Sequence, residues 1–227
     1  MVLGVAAHPD DLDFSASGTV AKWVKQGAIC YYLILTNGCK GSEDPAMTEK
    51  KLIKIRHQEQ LTAGKILGLK DVFFLKHNDT ELVADLVLKK EVVYFLRKLK
   101  PEIVITTNPS FIYSSFGFIN HTDHRAAGQA TIDAIFPMAR DRLTFSEHLR
   151  FGLLPHKVKT LYLTSFDKPT EVVDISESID LKLKALKAHK SQVGNEAIIR
   201  VKEWAKQLGK QYGYRFAEGF VKLNLMP

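Results

Sequence analysis

A chain of 227 residues, 45% hydrophobic and 10% aromatic, is long enough to bury one sizeable core. Its formal charge of +7 gathers at one end, where residues 180–227 hold ten Lys/Arg against four Asp/Glu, and no nucleic-acid recognition motif accompanies that charge. No stretch approaches the roughly 18 consecutive apolar residues of a membrane span, and Met1 leads directly into Val2-Leu3-Gly4-Val5 without a basic leader; we expect one α/β domain over 1–227, cytoplasmic, with no membrane span and no nucleic-acid partner.

Val2 to Ala7 reads as a strand, Ser15 to Gln26 as a helix stopped by Gly27, and the unbroken apolar run Ala28 to Thr36 as a strand buried on both faces. Asn37 to Thr48 is a polar loop holding Gly38, Gly41 and Pro45. Leu52, Ile55, Leu61, Ile66 and Leu67 recur near helical spacing, which predicts a helix over 49–67 with Gly68 as its stop. Val72 to Leu75 follows as a short strand, Leu82 to Leu99 contains a helix ended by Lys100-Pro101, and Glu102 to Thr107 is the next strand. The loop Asn108 to Asn120, with Phe111, Tyr113, Phe116 and Phe118, reads as a lid or pocket wall, a loop packed on the sheet edge being the alternative. Beyond it we expect a helix from Arg125 to about Asp141, strands near 158–163 and 171–173, two basic helices and a last strand near 220–223. Lys182, Lys184, Lys187, Lys190, Lys202, Lys206 and Lys210 read as the solvated faces of those two helices, the alternative being the surface of a basic anion-binding protein with an inactive pocket. The two cysteines, Cys30 and Cys39, have no CxxC spacing and read as buried thiols.

This βαβαβαβ rhythm predicts a Rossmann-like, mostly parallel sheet flanked by helices on both faces, with a ligand crevice at the C-terminal ends of the strands. In a 3-2-1-4 order the first and fourth strands adjoin at the switch point. Two clusters lie just beyond them, Ala7-His8-Pro9-Asp10-Asp11 and His121-Thr122-Asp123-His124. Imidazoles with one carboxylate suit a borderline cation such as Zn2+, and three protein ligands leave positions open for water and substrate. His8, Asp11 and His124 form such a set, with Asp10 free to act as a base. The same ligand types also serve Fe2+ in oxygen chemistry, and Asp11-Leu12-Asp13 imitates the Asp-x-Asp of magnesium phosphatases. A dinucleotide seat is disfavoured, since no GxGxxG follows the first strand.

The AHPDD segment, Ser17-Gly18-Thr19 and His121-Thr122-Asp123-His124-Arg125 together resemble the PIG-L/LmbE-like superfamily of zinc-dependent de-N-acetylases. Arg56-His57-Gln58-Glu59, Ala188-His189-Lys190-Ser191-Gln192 and Ala217-Glu218 with Phe220 extend the resemblance over about residues 2 to 220. Three departures stand out: Asp13 replaces the usual Glu after AHPDD, Asn78-Asp79-Thr80 replaces a PDG turn, and Phe118-Ile119-Asn120 replaces a segment that often carries Tyr.

The resemblance implies hydrolysis of an N-acetyl group on a glucosamine-containing small molecule or glycoconjugate, with one Zn2+ per chain and Fe2+ as the lesser choice. It implies Asp10 as base and His121 as oxyanion donor, oriented by Asp123 through a ring contact, unless Asp123 backs His124 instead. Arg56 is implied as a substrate contact at the mouth of the site, a surface salt bridge being its plain alternative, and Asp79 as a further substrate contact. His189 is either a core contact or an outer residue of the site. Homo-oligomers are common in the resembled family.

Overall fold

The computed structural model describes residues 1–113, 117–165 and 168–226, so Phe116 of the expected lid lies outside the described residues. Strands β1 (Val2–Ala6), β2 (Cys30–Thr36), β3 (Asp71–His77), β4 (Ile103–Thr107), β5 (Thr160–Thr164), β6 (Glu171–Asp174) and β7 (Ala217–Asn224) form one sheet in the order β3-β2-β1-β4-β5-β7-β6. β1 to β5 pair in parallel, and β7 runs antiparallel between β5 and β6. The expected 3-2-1-4 order therefore runs inward from the β3 edge of the sheet, and the switch point falls between β1 and β4.

Helices α1 (Asp11–Ser15), α2 (Ser17–Lys25), α3 (Glu49–Leu67), α4 (Leu86–Leu99), α5 (Thr122–Asp133), α6 (Ile179–Leu186) and α7 (Asn195–Gln211) connect the strands. Alternation along the central strands divides the core in two. Leu3, Val5, Leu33, Leu35 and Val104 face α4 and α5 through Leu88, Val92, Leu96, Ala127 and Ala130. Val2, Ala6, Tyr32, Ile34 and Ile105 face the other layer through Leu12, Val20, Ala63, Leu67 and Ala185. Helix ends carry local signals: Thr48 and Asp85 accept the N–H groups of Lys51 and Leu88, and Gly68 closes α3 at φ 76°.

Two expected helices differ from the structure. Where one helix was placed at Ser15 to Gln26, a short helix over Asp11–Ser15 precedes the main one over Ser17–Lys25, with a break at Ala16 (φ −141°). The one expected to reach Asp141 stops at Asp133 and gives way to a π turn over Ala134–Met138. Pro137 lacks an N–H and drives Phe136 to φ −141°, ψ 125°, so the helix cannot continue.

Lys182 is a further correction, since only 1% of it is exposed. Its Nζ donates to Asp13 O (3.1 Å), Phe14 O (2.7 Å) and Glu218 Oε1 (2.7 Å). Glu218 in turn accepts from Gly18 N–H and Thr19 N–H at the start of α2. The pair thus ties α6, β7 and the α1–α2 corner together, and that corner carries the turn after β1. Removing one partner leaves a buried charge uncompensated. We expect Lys182→Met to lower unfolding free energy by about 3 kcal/mol in a urea titration; a loss below about 1 kcal/mol would show that the pair is not a structural tie.

Candidate metal centre

Four parallel strand ends supply one crevice. β1 runs into His8-Pro9-Asp10-Asp11, β2 into Asn37-Gly38, β3 into Asn78-Asp79, and the connection after β4 ends at His121, Asp123 and His124 on the first turn of α5. α5 seats this deeply because it carries Gly128: a Cβ there would stand 2.2 Å from Thr107 O.

The geometry of the first cluster starts from a tight turn. Asp10 adopts φ 97°, ψ −29°, a left-handed conformation that Asp tolerates better than most side chains. The turn lets Asp11 Oδ2 accept the backbone N–H of His8 at 2.8 Å, which orients the Asp11 carboxylate. His8 places Nε2 3.0 Å from Asp79 Oδ1 and 3.2 Å from Asp123 Oδ2, leaving Nδ1 to face Asp11 Oδ1 at 3.6 Å. His124 mirrors this arrangement: Nδ1 lies 3.0 Å from Asn120 Oδ1, and Nε2 lies 3.0 Å from Asp11 Oδ1. Each imidazole gives its far nitrogen to an oxygen acceptor and turns the other toward Asp11, the tautomer-fixing pattern of metal-ligating histidines. One donor atom from each of His8, Asp11 and His124 lies within 4.8 Å of the other two. His8, His121 and Asp123 meet the same distance, but Asp123 there is already accepting from Thr80 N–H and Leu82 N–H.

Electrostatics agree with a cation in this position. Burial pulls the His8 imidazolium down, yet the carboxylates of Asp11, Asp123 and Asp79 outweigh it and hold its pKa pushed up to about 12. Burial would raise Asp11, but His124 and His8 bring it well below the usual carboxylate range. Burial also works against Asp79, which His8 and the Lys40 N–H hold below its ordinary value. His124 is raised, Asp11 overcoming its burial. The pocket thus stabilises positive charge, and its two imidazoles and one carboxylate are a group that could hold a metal ion. Asp10 behaves differently. Burial raises it to about 6, reinforced by Asp11 and opposed by Arg56, which poises it near neutral pH. Burial and the nearby His8 lower His121, which favours its neutral ring.

The remaining expected site residues take other places. Asp123 gives its oxygens to His8, Thr80 N–H and Leu82 N–H, and its Oδ1 stands 3.9 Å from His121 Nδ1, beyond hydrogen-bond reach. His121 Nδ1 instead accepts the backbone N–H of Asp123 at 3.1 Å, which leaves the proton of the neutral ring on Nε2. The partner of His124 is Asn120, a residue with no metal motif of its own. Asp79 is buried with both oxygens engaged inside the protein, Oδ1 by His8 and Oδ2 by Lys40 N–H. Arg56 does not form the surface salt bridge named as its alternative. It is 4% exposed and donates to Gly38 O (3.0 Å) and Pro9 O (2.9 Å), with Asp10 Oδ2 at 3.5 Å and Asp79 Oδ2 at 3.6 Å. Gly38 (φ 64°) allows this approach, since a Cβ there would meet the guanidinium at 2.8 Å. His189 is fully buried against Asp13.

Residues 3–135 match the PIG-L family, described as GlcNAc-PI de-N-acetylase. The chain is 32% identical over 222 residues to diacetylchitobiose deacetylase of Thermococcus kodakarensis, covering 96% of this chain and 81% of the relative. It is 28% identical over 201 residues to a probable N-acetyl-alpha-D-glucosaminyl L-malate deacetylase 2 of Bacillus anthracis, with 84% and 80% covered. Among solved structures, N,N'-diacetylchitobiose deacetylase from Pyrococcus horikoshii superposes with a TM-score of 0.90 at 29% identity, covering 98% of this chain and 83% of the other. No helix among the described residues is long and apolar enough to cross a membrane.

Proposed function

The chain belongs to the PIG-L family, and we propose from that premise that it is a zinc-dependent N-deacetylase acting on an N-acetylglucosamine-containing small glycoside, releasing acetate. One observation carries the reading: two imidazoles turned toward one carboxylate, with a second carboxylate, Asp10, next to them and outside the donor set. His8, Asp11 and His124 would hold the ion. When bound, a zinc ion supplies Lewis-acid polarisation of the acetyl carbonyl and lowers the pKa of a water.

The chain's own residues account for the rest. Asp10 takes a proton from the attacking water as its oxygen joins the carbonyl carbon. The same carboxyl returns that proton to the nitrogen as the C–N bond breaks, so that an amine and not an amide anion departs. His121 donates its Nε2–H to the oxygen that gains charge, a role that the hydrogen bond from Asp123 N–H to Nδ1 prepares. Asp123 and Asp79 keep His8 oriented, and Arg56 braces the Pro9-Asp10 turn from beneath. The names of the relatives favour a disaccharide or a glucosamine joined to a small acid as substrate.

The test is zinc content measured beside acetate release from diacetylchitobiose and N-acetylglucosaminyl malate, with and without EDTA. We expect about one zinc per chain and chelator-sensitive acetate release. Bound iron with oxygen uptake would replace the reading by the alternative chemistry of the same ligand types. Zinc without acetate from either compound would move the reaction to another amide.

A further inference from the structure

Asp10 sits in the left-handed region at φ 97°, and its backbone N–H is held from outside its own turn. Its backbone N–H donates to Gln60 Oε1 at 2.9 Å, from α3, fifty residues away. The other end of that amide, Nε2, donates to Asp13 Oδ2 at 3.0 Å. The same Asp13 oxygen is 2.9 Å from His189 Nε2, which arrives from the turn after α6. Gln60, Asp13 and His189 are 1%, 0% and 0% exposed.

Buried polar groups of this kind are costly unless paired, and the chain fixes its own direction. The carboxylate of Asp13 accepts and cannot donate, so it must face the NH2 of Gln60, which then presents only its carbonyl to Asp10. A flipped amide would set two donors and two acceptors against each other. None of the three residues is within the donor set of the metal centre, and the steps assigned to Asp10 and His121 do not use them. They are a buried polar chain that ends on the backbone of the one residue whose carboxylate is to move protons.

We propose that Gln60, held by the Asp13–His189 pair, is a positioning residue that locks Asp10 in its left-handed conformation and so aims the Asp10 carboxylate at the reacting acetamide. The proposal rests on the deacetylase reading for its kinetic half only. Conformational strain at a functional residue persists when its surroundings over-determine it, and the Gln60 amide is the contact that does so at this N–H.

The test uses Gln60→Met, which keeps the volume but removes the acceptor, and His189→Asn, which weakens the hold on Asp13 one contact further out. With kcat counted per bound zinc, we expect Q60M to lose at least tenfold in kcat while KM changes less than twofold, and H189N to lose less than Q60M but more than twofold. A merely structural role would lower thermal stability and leave kcat per bound zinc within twofold of wild type, which would overturn the proposal. Should Q60M fail to fold, H189N carries the same comparison. A second readout needs no turnover: a crystal structure of the folded variant should show Asp10 moved out of positive φ in Q60M, or the Gln60 amide displaced from its N–H in H189N. An Asp10–Gln60 region unchanged in H189N, or an Asp10 still at positive φ in Q60M, overturns it. If the wild-type chain releases no acetate, the deacetylase reading fails separately and the backbone result alone decides the positioning role.

Discussion

Asp10→Asn should keep about one zinc per chain and lose about 10³-fold in kcat, near the middle of the range that a general base contributes. Asn is among the few residues that accept a left-handed backbone, so the turn at φ 97° and its N–H bond to Gln60 survive the change. The ligand set of His8, Asp11 and His124 is untouched. What disappears is the acceptor for the water proton, and with it the donor for the leaving amine. The pH profile supplies an independent check. Asp10 is raised to about 6 by burial, so the working carboxylate is lost as pH falls through that value. Activity of the wild type should then drop about tenfold per pH unit on the acid side. A cation bound on the neighbouring Asp11 favours the charged form of Asp10 and moves that limb to about 6 or lower. The residual activity of D10N should lack this limb altogether. Wild-type kcat in D10N would remove Asp10 from the mechanism.

The architecture around this residue was legible because its signals are local. Apolar runs at β1, β2 and β4 alternate with helix-spaced segments, and that alternation permits few sheet orders. Placing His8 and His124 beyond adjoining strand ends then brings them together without knowledge of any contact. The partners of those residues were not legible. Whether Asp123 serves His121, His124 or His8 depends on the rotation of α5 over β4, which is set by Gly128 lying against Thr107 O. Asp79 meets His8, and Lys182 goes inside because Glu218 is already there to receive it. Gln60 and Asn120 carry no motif and are spaced as ordinary helix and loop residues; only the fold shows that their amides end on Asp10 and His124. The π turn at Ala134–Met138 is the opposite case, since Pro137 is a stop legible in the sequence that the helix expected to reach Asp141 ran through.

His124→Ala should abolish the stabilisation that zinc gives the wild type. His124 Nε2 stands 3.0 Å from Asp11 Oδ1 and its Nδ1 is held by Asn120, so the ring is preset as a ligand, and its removal leaves only His8 and Asp11. Loss of an outer partner such as Asn120 costs about 10- to 100-fold in metal affinity, and loss of the ligand itself must cost more than about 100-fold. Ligand linkage turns that into stability. At free zinc of 100 times Kd the wild type gains about 2.7 kcal/mol, whereas a variant bound 100-fold more weakly gains only about 0.4 kcal/mol at the same zinc. A thermal shift series reads this difference directly, and a wild-type shift in H124A would remove His124 from the ligand set. Binding also has a proton signature. Without a cation, His8 keeps its proton at neutral pH because Asp11, Asp123 and Asp79 overcome its burial and push its pKa up to about 12. A metal ligand must be the neutral ring, so zinc uptake at pH 7 should expel about one proton from His8. Apparent affinity should therefore rise with pH, and calorimetry in buffers of different ionisation enthalpy should show the released proton. The carboxylates that hold the proton are the ones that would hold the ion's charge, so zinc uptake without proton release would mean that the ion binds somewhere other than His8.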